Sequence, residues 1–126
     1  MGAPMCQNLL SADLPLTVWN RSQAKTEPLA KRGAEIADSP QSAVSDADVV
    51  ITMLSDGTAV ADIMFNQGVA EAIRESATRI DMSSIGADEA IEHAKRHVKR
   101  GVRYLDSPVS GGTKGAAAGE LAIMAG

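Results

Sequence analysis

Short β-branched apolar runs alternate along the chain with longer stretches whose apolar residues recur at helical spacing. This alternation predicts repeated β–α units around a mostly parallel, doubly wound α/β sheet. The chain opens on a helix over Met1 to Ala12, with Met5, Leu9 and Ala12 on one face and Pro4 suited to a first turn. A short apolar run from Leu16 to Trp19 follows. The polar turn Asn20-Arg21-Ser22 then leads into a helical stretch to Arg32, which Pro28 kinks or restarts and Gly33 terminates. Ala34 to Ala37 is a weak strand candidate, and Ser39-Pro40 is an N-cap and first-position pair for a short helix to about Asp46. Val49 to Leu54 is the clearest strand, and its unbroken apolarity predicts burial on both faces.

Thr58 to Phe65 and Gly68 to about Ile73 read as helices, and Arg79 to Met82 as a brief strand. The strongest helix signal covers Ala87 to Arg100, where Ala87, Ile91, Ala94 and Val98 predict one buried stripe. Asp88 and Glu89 suit its positive end, Lys99 and Arg100 its negative end, and Gly101 closes it. Tyr104 to Val109 is a last buried strand. A Gly-rich loop from Ser110 to Gly119 and the apolar run Leu121 to Met124 complete the chain.

Composition narrows the function classes. The 126 residues predict one domain, and 44% hydrophobic against 22% charged residues is the balance of a soluble globule. A net charge of −4 has the wrong sign for neutralising nucleic-acid phosphates, and Trp19, Phe65 and Tyr104 are too few for a base-stacking platform. No nucleic-acid partner is expected. The single Cys6 forms no internal disulfide, and no apolar run is long enough to span a bilayer or act as a signal peptide, so no membrane association and a cytoplasmic location are expected.

Three separated segments resemble the β-hydroxyacid dehydrogenase family, which includes 3-hydroxyisobutyrate dehydrogenases and tartronate semialdehyde reductases. Met1-Gly2-Ala3-Pro4-Met5 with Asn8-Leu9-Leu10 is similar to the end of that family's Gly-rich dinucleotide fingerprint and the helix after it. Ile80-Asp81-Met82-Ser83-Ser84-Ile85 resembles its strand end beside the nicotinamide. Asp106-Ser107-Pro108-Val109-Ser110-Gly111-Gly112, continued by Gly115-Ala116 and Gly119, resembles its substrate-binding signature, with Ser107 where alanine is usual. The resemblance runs the length of the chain and implies a Rossmann-like NAD(P)-binding domain over residues 1–126. On that reading the chain lacks the family's first strand, which would lie upstream of Met1, and its C-terminal helical domain.

The implied chemistry falls on particular residues. Gly2 would be the fingerprint's third glycine, lying with Met5 where backbone and helix N–H groups approach a pyrophosphate. About 20 positions beyond the glycines, where a carboxylate usually holds the adenosine ribose of NAD, the chain has Asn20, with Arg21 and Ser22 suited to clasp a 2′-phosphate. NADP (NADPH) is therefore the expected cofactor, with NAD the other candidate. Met53, Leu54 and Ser84, at strand ends, are implied cofactor contacts. Ser110, Gly111 and Gly112 are the implied cradle for a substrate carboxylate, with small side chains leaving backbone N–H groups open.

Other residues invite readings that do not hold up. His93 and His97 have the i, i+4 spacing of metal ligands but no third ligand nearby in sequence, so they are expected to be half-exposed helix residues and no metal site is predicted. Lys114 reads as a solvated loop lysine and Cys6 as a small core residue. No catalytic residue is expected within the chain, since the family's catalytic lysine lies on a later helix. The expectation is the cofactor-binding portion of an oxidoreductase that moves a hydride between NADPH and a small hydroxy acid or semialdehyde. The chain alone would be inactive and the full-length form a homo-oligomer. The competing reading is a non-catalytic, truncated nucleotide-binding or interaction module.

Overall fold

The computed structural model describes residues 1–126. Helix α1 (Gly2–Ser11) is followed by β1 (Thr17–Val18), a 3-10 turn over Gln23–Thr26 that runs into α2 (Glu27–Ala30), and β2 (Glu35–Ile36). The helical stretch restarts at Pro28, whose missing N–H does no harm in a first turn. Strands β1 and β2 pair in parallel, with Thr17 beside Glu35 and Val18 beside Ile36.

The second half of the chain builds the larger sheet. Helix α3 (Pro40–Val44) begins where Ser39 accepts a hydrogen bond from the Ser42 N–H while the Ser42 hydroxyl accepts one from the Ser39 N–H, so two terminal donors are satisfied reciprocally. Then come β3 (Val49–Thr52), α4 (Gly57–Ala61) continuing into a π-helical turn over Asp62–Asn66, α5 (Val69–Ala72), β4 (Thr78–Asp81), α6 (Ala87–Val98) and β5 (Arg103–Asp106). Strands β3, β4 and β5 form a parallel sheet in that order, the arrangement that helical crossovers permit. The Tyr104 to Val109 run does not stay one strand. It breaks at Ser107-Pro108, where proline has no ladder donor, and Val109–Ser110 becomes β6, paired antiparallel with β7 (Ala122–Ile123).

Between β6 and β7 the structure corrects the expected Gly-rich loop. Residues Gly112–Ala118 form helix α7, because the alanines of its second half sustain the turn that Gly111 starts and Gly119 ends. Gly111 takes φ +135° and Gly119 φ +72°, conformations that disfavour any residue with a Cβ.

No hydrogen bonds join the β1–β2 pair to the β3–β4–β5 sheet. The core is divided accordingly. Val18, Leu29 and Ala34 pack with Cys6, Leu10, Leu16 and Ile36 around β1–β2, while Val50, Val60, Met64, Val69, Ile73 and Val102 centre the cluster beneath α3, α4 and α5.

Two expectations about faces are overturned. Strand β3 is not buried on both faces: Val50 is covered by the helices, but Val49 and Ile51, which point the other way, are 52% and 40% exposed. Helix α6 buries Ala90, His93 and His97 instead of the predicted stripe, and Ile91 and Val98 face solvent. The reason lies in the strands beneath it. Register pairs Arg79 with Tyr104 and Asp81 with Asp106, so the layer that α6 covers along β4 and β5 is polar and aromatic, and imidazoles fit it better than aliphatic groups.

Candidate functional site

The C-terminal ends of parallel strands are where open α/β sheets hold ligands, because the loops and helix N-termini there diverge. At that edge a cleft of about 320 Å³ is lined by Met1, Gly2, Met53, Leu54, Ser55 and Ser84. Three segments far apart in sequence converge on it: the start of α1, the residues after β3 and those after β4. Four of the expected cofactor contacts, Gly2, Met53, Leu54 and Ser84, are brought together here.

The cleft's physical character follows from its parts. Helix α1 has no acidic residue in its first turn and no side-chain cap, so its first N–H groups and positive end are free for an anionic ligand. A Cβ at Gly2 would meet no protein atom within 4 Å, so nothing in the fold itself excludes a side chain there; a closely approaching ligand would. Met53 and Leu54 are half-buried and offer apolar walls, and Ser84 presents an exposed hydroxyl. Free N–H donors beside apolar walls suit a ligand that carries both an anionic and an apolar part.

The remaining expected contacts lie elsewhere on the chain. Met5 sits half-buried on α1 outside the cleft lining. Asn20, Arg21 and Ser22 are exposed in the turn after β1, where the Ser22 N–H donates to the Asn20 side chain at 3.3 Å and Arg21 forms no ion pair. Ser110, Gly111 and Gly112 are exposed at the junction of β6 and α7. Helix α7 is tied to α1 by the Asn8 amide, which donates to the Ala116 carbonyl at 2.7 Å. Lys114 is exposed, on a helix and not in a loop.

Beneath the cleft lies a set of buried polar groups that the sequence reading missed. Arg79 and Asp81 are both 0% exposed. The Arg79 Nη2 donates to Asp81 Oδ2 at 2.7 Å and to Thr52 Oγ1 at 3.2 Å, and the guanidinium lies over the Tyr104 ring, 5.3 Å from its centroid. Burial draws the Arg79 guanidinium below its ordinary range, while Asp81 and Tyr104 oppose that shift. The only sequence signal was the alternation of Arg79 and Asp81 on one face of a strand, opposite Ile80.

The expected half-exposed histidines are also buried, at 5% for His93 and 1% for His97. His93 packs on Phe65 at 4.8 Å between ring centroids and His97 on Tyr104 at 5.4 Å. Burial pushes both imidazoles down, His97 to about 4. The His97 Nδ1 lies 2.8 Å from the His93 carbonyl, so the neutral ring donates a hydrogen bond from Nδ1–H to that oxygen. Burial also raises the Tyr104 phenol and the Asp106 carboxyl, with the Asp81 charge adding to both shifts.

A larger hollow of about 420 Å³ lies between α6 and the end of α4 with its π-helical turn. It gathers Asp88, Glu89 and Glu92 against the single cation Arg96, a net negative lining unsuited to a phosphate-bearing ligand, and includes none of the expected contacts.

Residues 1–126 match the family described as the NAD binding domain of 6-phosphogluconate dehydrogenase. An uncharacterized oxidoreductase of Bacillus subtilis is 39% identical over 98% of this chain and 44% of its own length. The glyoxylate/succinic semialdehyde reductase 1 of Arabidopsis thaliana is 36% identical over 99% of this chain and 44% of its own. Among solved structures, the 3-hydroxyisobutyrate dehydrogenase of Mycobacterium tuberculosis, determined with L-serine, superposes with a TM-score of 0.93 at 39% identity, over 100% of this chain and 43% of the other. The chain thus spans less than half the length of these relatives.

Proposed function

The chain belongs to the family described as the NAD binding domain of 6-phosphogluconate dehydrogenase, and from that premise we propose that its cleft holds NADP(H) for a hydroxyacid dehydrogenase or semialdehyde reductase. The observation that carries this reading is the convergence of Gly2, Met53, Leu54 and Ser84 on one cleft at the C-terminal edge of the sheet. In the proposed mode, the N-terminal N–H groups of α1 donate hydrogen bonds to the pyrophosphate oxygens, with Gly2 allowing the close approach. Met53 and Leu54 cover one side of the nicotinamide end and exclude water, and the Ser84 hydroxyl hydrogen-bonds its polar edge. Met5, one helical turn along α1, backs the same phosphate-binding turn.

At the other end of the nucleotide, Asn20, Arg21 and Ser22 form the adenosine pocket. Arg21 has no carboxylate partner within the chain and is free to clasp a 2′-phosphate, which favours NADP over NAD. Ser110, Gly111 and Gly112 supply a hydroxyl and open backbone N–H groups to orient the carboxylate of a small hydroxy acid or semialdehyde. When bound, the nicotinamide supplies the hydride chemistry.

None of the side chains lining the cleft is an acid or a base, so no side chain of the cleft moves the substrate's hydroxyl proton. The proposal therefore assigns that proton transfer to a lysine outside residues 1–126, and assigns binding without turnover to this chain alone. Substrates of the whole protein would be of the tartronate semialdehyde, 3-hydroxyisobutyrate, glyoxylate or succinic semialdehyde type. The same bare cleft favours, as the second reading, a module that binds nucleotide without catalysis.

Trp19 tests the proposal, because it is the only tryptophan and precedes Asn20 directly. Saturable quenching of its fluorescence by NADPH at much lower concentration than by NADH is expected. Equal response to both would remove the NADP preference, and no response to either from folded protein would remove the nucleotide site.

A further inference from the structure

Burying an ion pair is a poor route to stability, since desolvating two charges costs several kcal/mol and apolar groups of equal volume often serve as well. The pair of Arg79 and Asp81 nevertheless sits wholly out of solvent under the cleft. Its connections run in one direction. Asp81 Oδ2 accepts from Arg79, and Asp81 Oδ1 accepts the Ser83 N–H at 3.1 Å. The Ser83 hydroxyl, itself 0% exposed, accepts the Leu54 N–H at 3.0 Å. Thr52, at the end of β3, is held from both sides: its hydroxyl accepts from Arg79, and its carbonyl accepts the Met82 N–H at 2.8 Å. A continuous thread of charge-assisted and neutral hydrogen bonds thus joins the middle of β4 to the two loops whose next atoms line the cleft, Leu54-Ser55 after β3 and Ser84 after β4.

We propose that Arg79, Asp81 and Ser83 are positioning residues for the nucleotide cleft, fixing the Leu54 backbone and the Ser83-Ser84 turn at the separation the nicotinamide end requires without touching the ligand. The inference rests on the reading of the cleft as the nucleotide site and adds which residues set its shape. The physical reason for spending a buried ion pair here is directional. An apolar layer would fill the same volume, but it would leave the Leu54 N–H without a fixed partner and the two loops free to shift against each other.

Two variants test this. Ser83→Ala removes the bond to Leu54 and leaves the ion pair intact. The double variant Arg79→Met and Asp81→Leu replaces the pair by apolar groups of similar volume. Each is expected to remain folded by circular dichroism, to exchange the Leu54 amide faster in hydrogen–deuterium exchange, and to raise the dissociation constant for NADPH about tenfold, the effect of losing one hydrogen bond. Because both act through one thread, their combination should weaken binding little more than either alone. The probe 2′,5′-ADP, which carries only the adenosine end, should bind all forms alike. Unchanged NADPH affinity in Ser83→Ala, additive effects in the combination, or an unaltered Leu54 amide would each overturn the positioning role while the nucleotide site stood. Failure of the unaltered chain to bind NADPH would overturn the nucleotide site and this inference with it.

Discussion

Acidification should destabilise this chain through His97. Its ring is 1% exposed, faces Arg79 and Asp81 from β4 and Tyr104 from β5, and has a pKa of about 4 against an ordinary 6.5. A histidine whose folded pKa is depressed binds its proton more readily when unfolded, so the stability from keeping it neutral is complete above pH 6.5 and is lost as the pH falls towards 4. Linkage gives about 2.5 kcal/mol between pH 7 and pH 4.5, and relaxation of nearby solvent reduces this to on the order of 2 kcal/mol. His93, displaced downward by the same burial, adds to the effect with the same sign. For a chain of this size, 2 kcal/mol corresponds to a fall of roughly 6–8 °C in Tm. The assay is thermal or urea unfolding followed by circular dichroism at half-unit steps from pH 7.5 to 4.5, on the parent chain and on His97→Phe. Phenylalanine keeps a ring beside Tyr104 and cannot titrate, so its profile should be shallower by about one proton's slope, ~1.4 kcal/mol per pH unit. Parallel decline of the two proteins would refute the reasoning, because the lost stability would then come from other groups.

Further outcomes follow from the same structure. Arg21→Ala should weaken NADPH binding about tenfold and leave NADH unchanged, as isothermal titration calorimetry would record, because one charge-assisted contact to the 2′-phosphate is lost. Met64→Ala, which empties a fully buried position in the core cluster beneath α4 and α5, should cost about 2–5 kcal/mol in urea unfolding. With NADPH and tartronate or succinic semialdehyde, the chain alone should show no cofactor oxidation at 340 nm in an absorbance assay, a wavelength set by the reduced nicotinamide cofactor itself.

What could be read in advance was local. Ser39-Pro40 stated its helix start because cap chemistry depends on neighbours in sequence, and Pro28 likewise marked the restart of α2. The convergence of Gly2, Met53, Leu54 and Ser84 was legible from the resemblance of separated segments to one family. What failed was the judgement of which faces lie inward in β3 and α6. The run from Val49 to Leu54 read as buried on both faces because each residue is apolar, but only the side of Val50 meets helices. In α6 the apolar periodicity of Ile91 and Val98 pointed outward, because the layer opposite is made by Arg79, Asp81 and Tyr104 and selects His93 and His97. Such preferences depend on register between strands far apart in sequence. For the same reason the thread from Arg79 to Leu54 could not be seen: its members belong to two strands and become neighbours only when β3 pairs with β4.

The cleft at the strand ends is the proposed seat of the nucleotide, and every binding prediction above depends on it. The most direct measurement is a titration of the isotopically labelled chain with NADPH, followed by amide chemical shifts. Shifts concentrated at Gly2, Leu54, Ser55 and Ser84, with a second group at Arg21 and Ser22, are the predicted result. Saturable binding whose shifts instead gather around Asp88, Glu89 and His93 in the larger hollow, with the cleft residues unmoved, would contradict it.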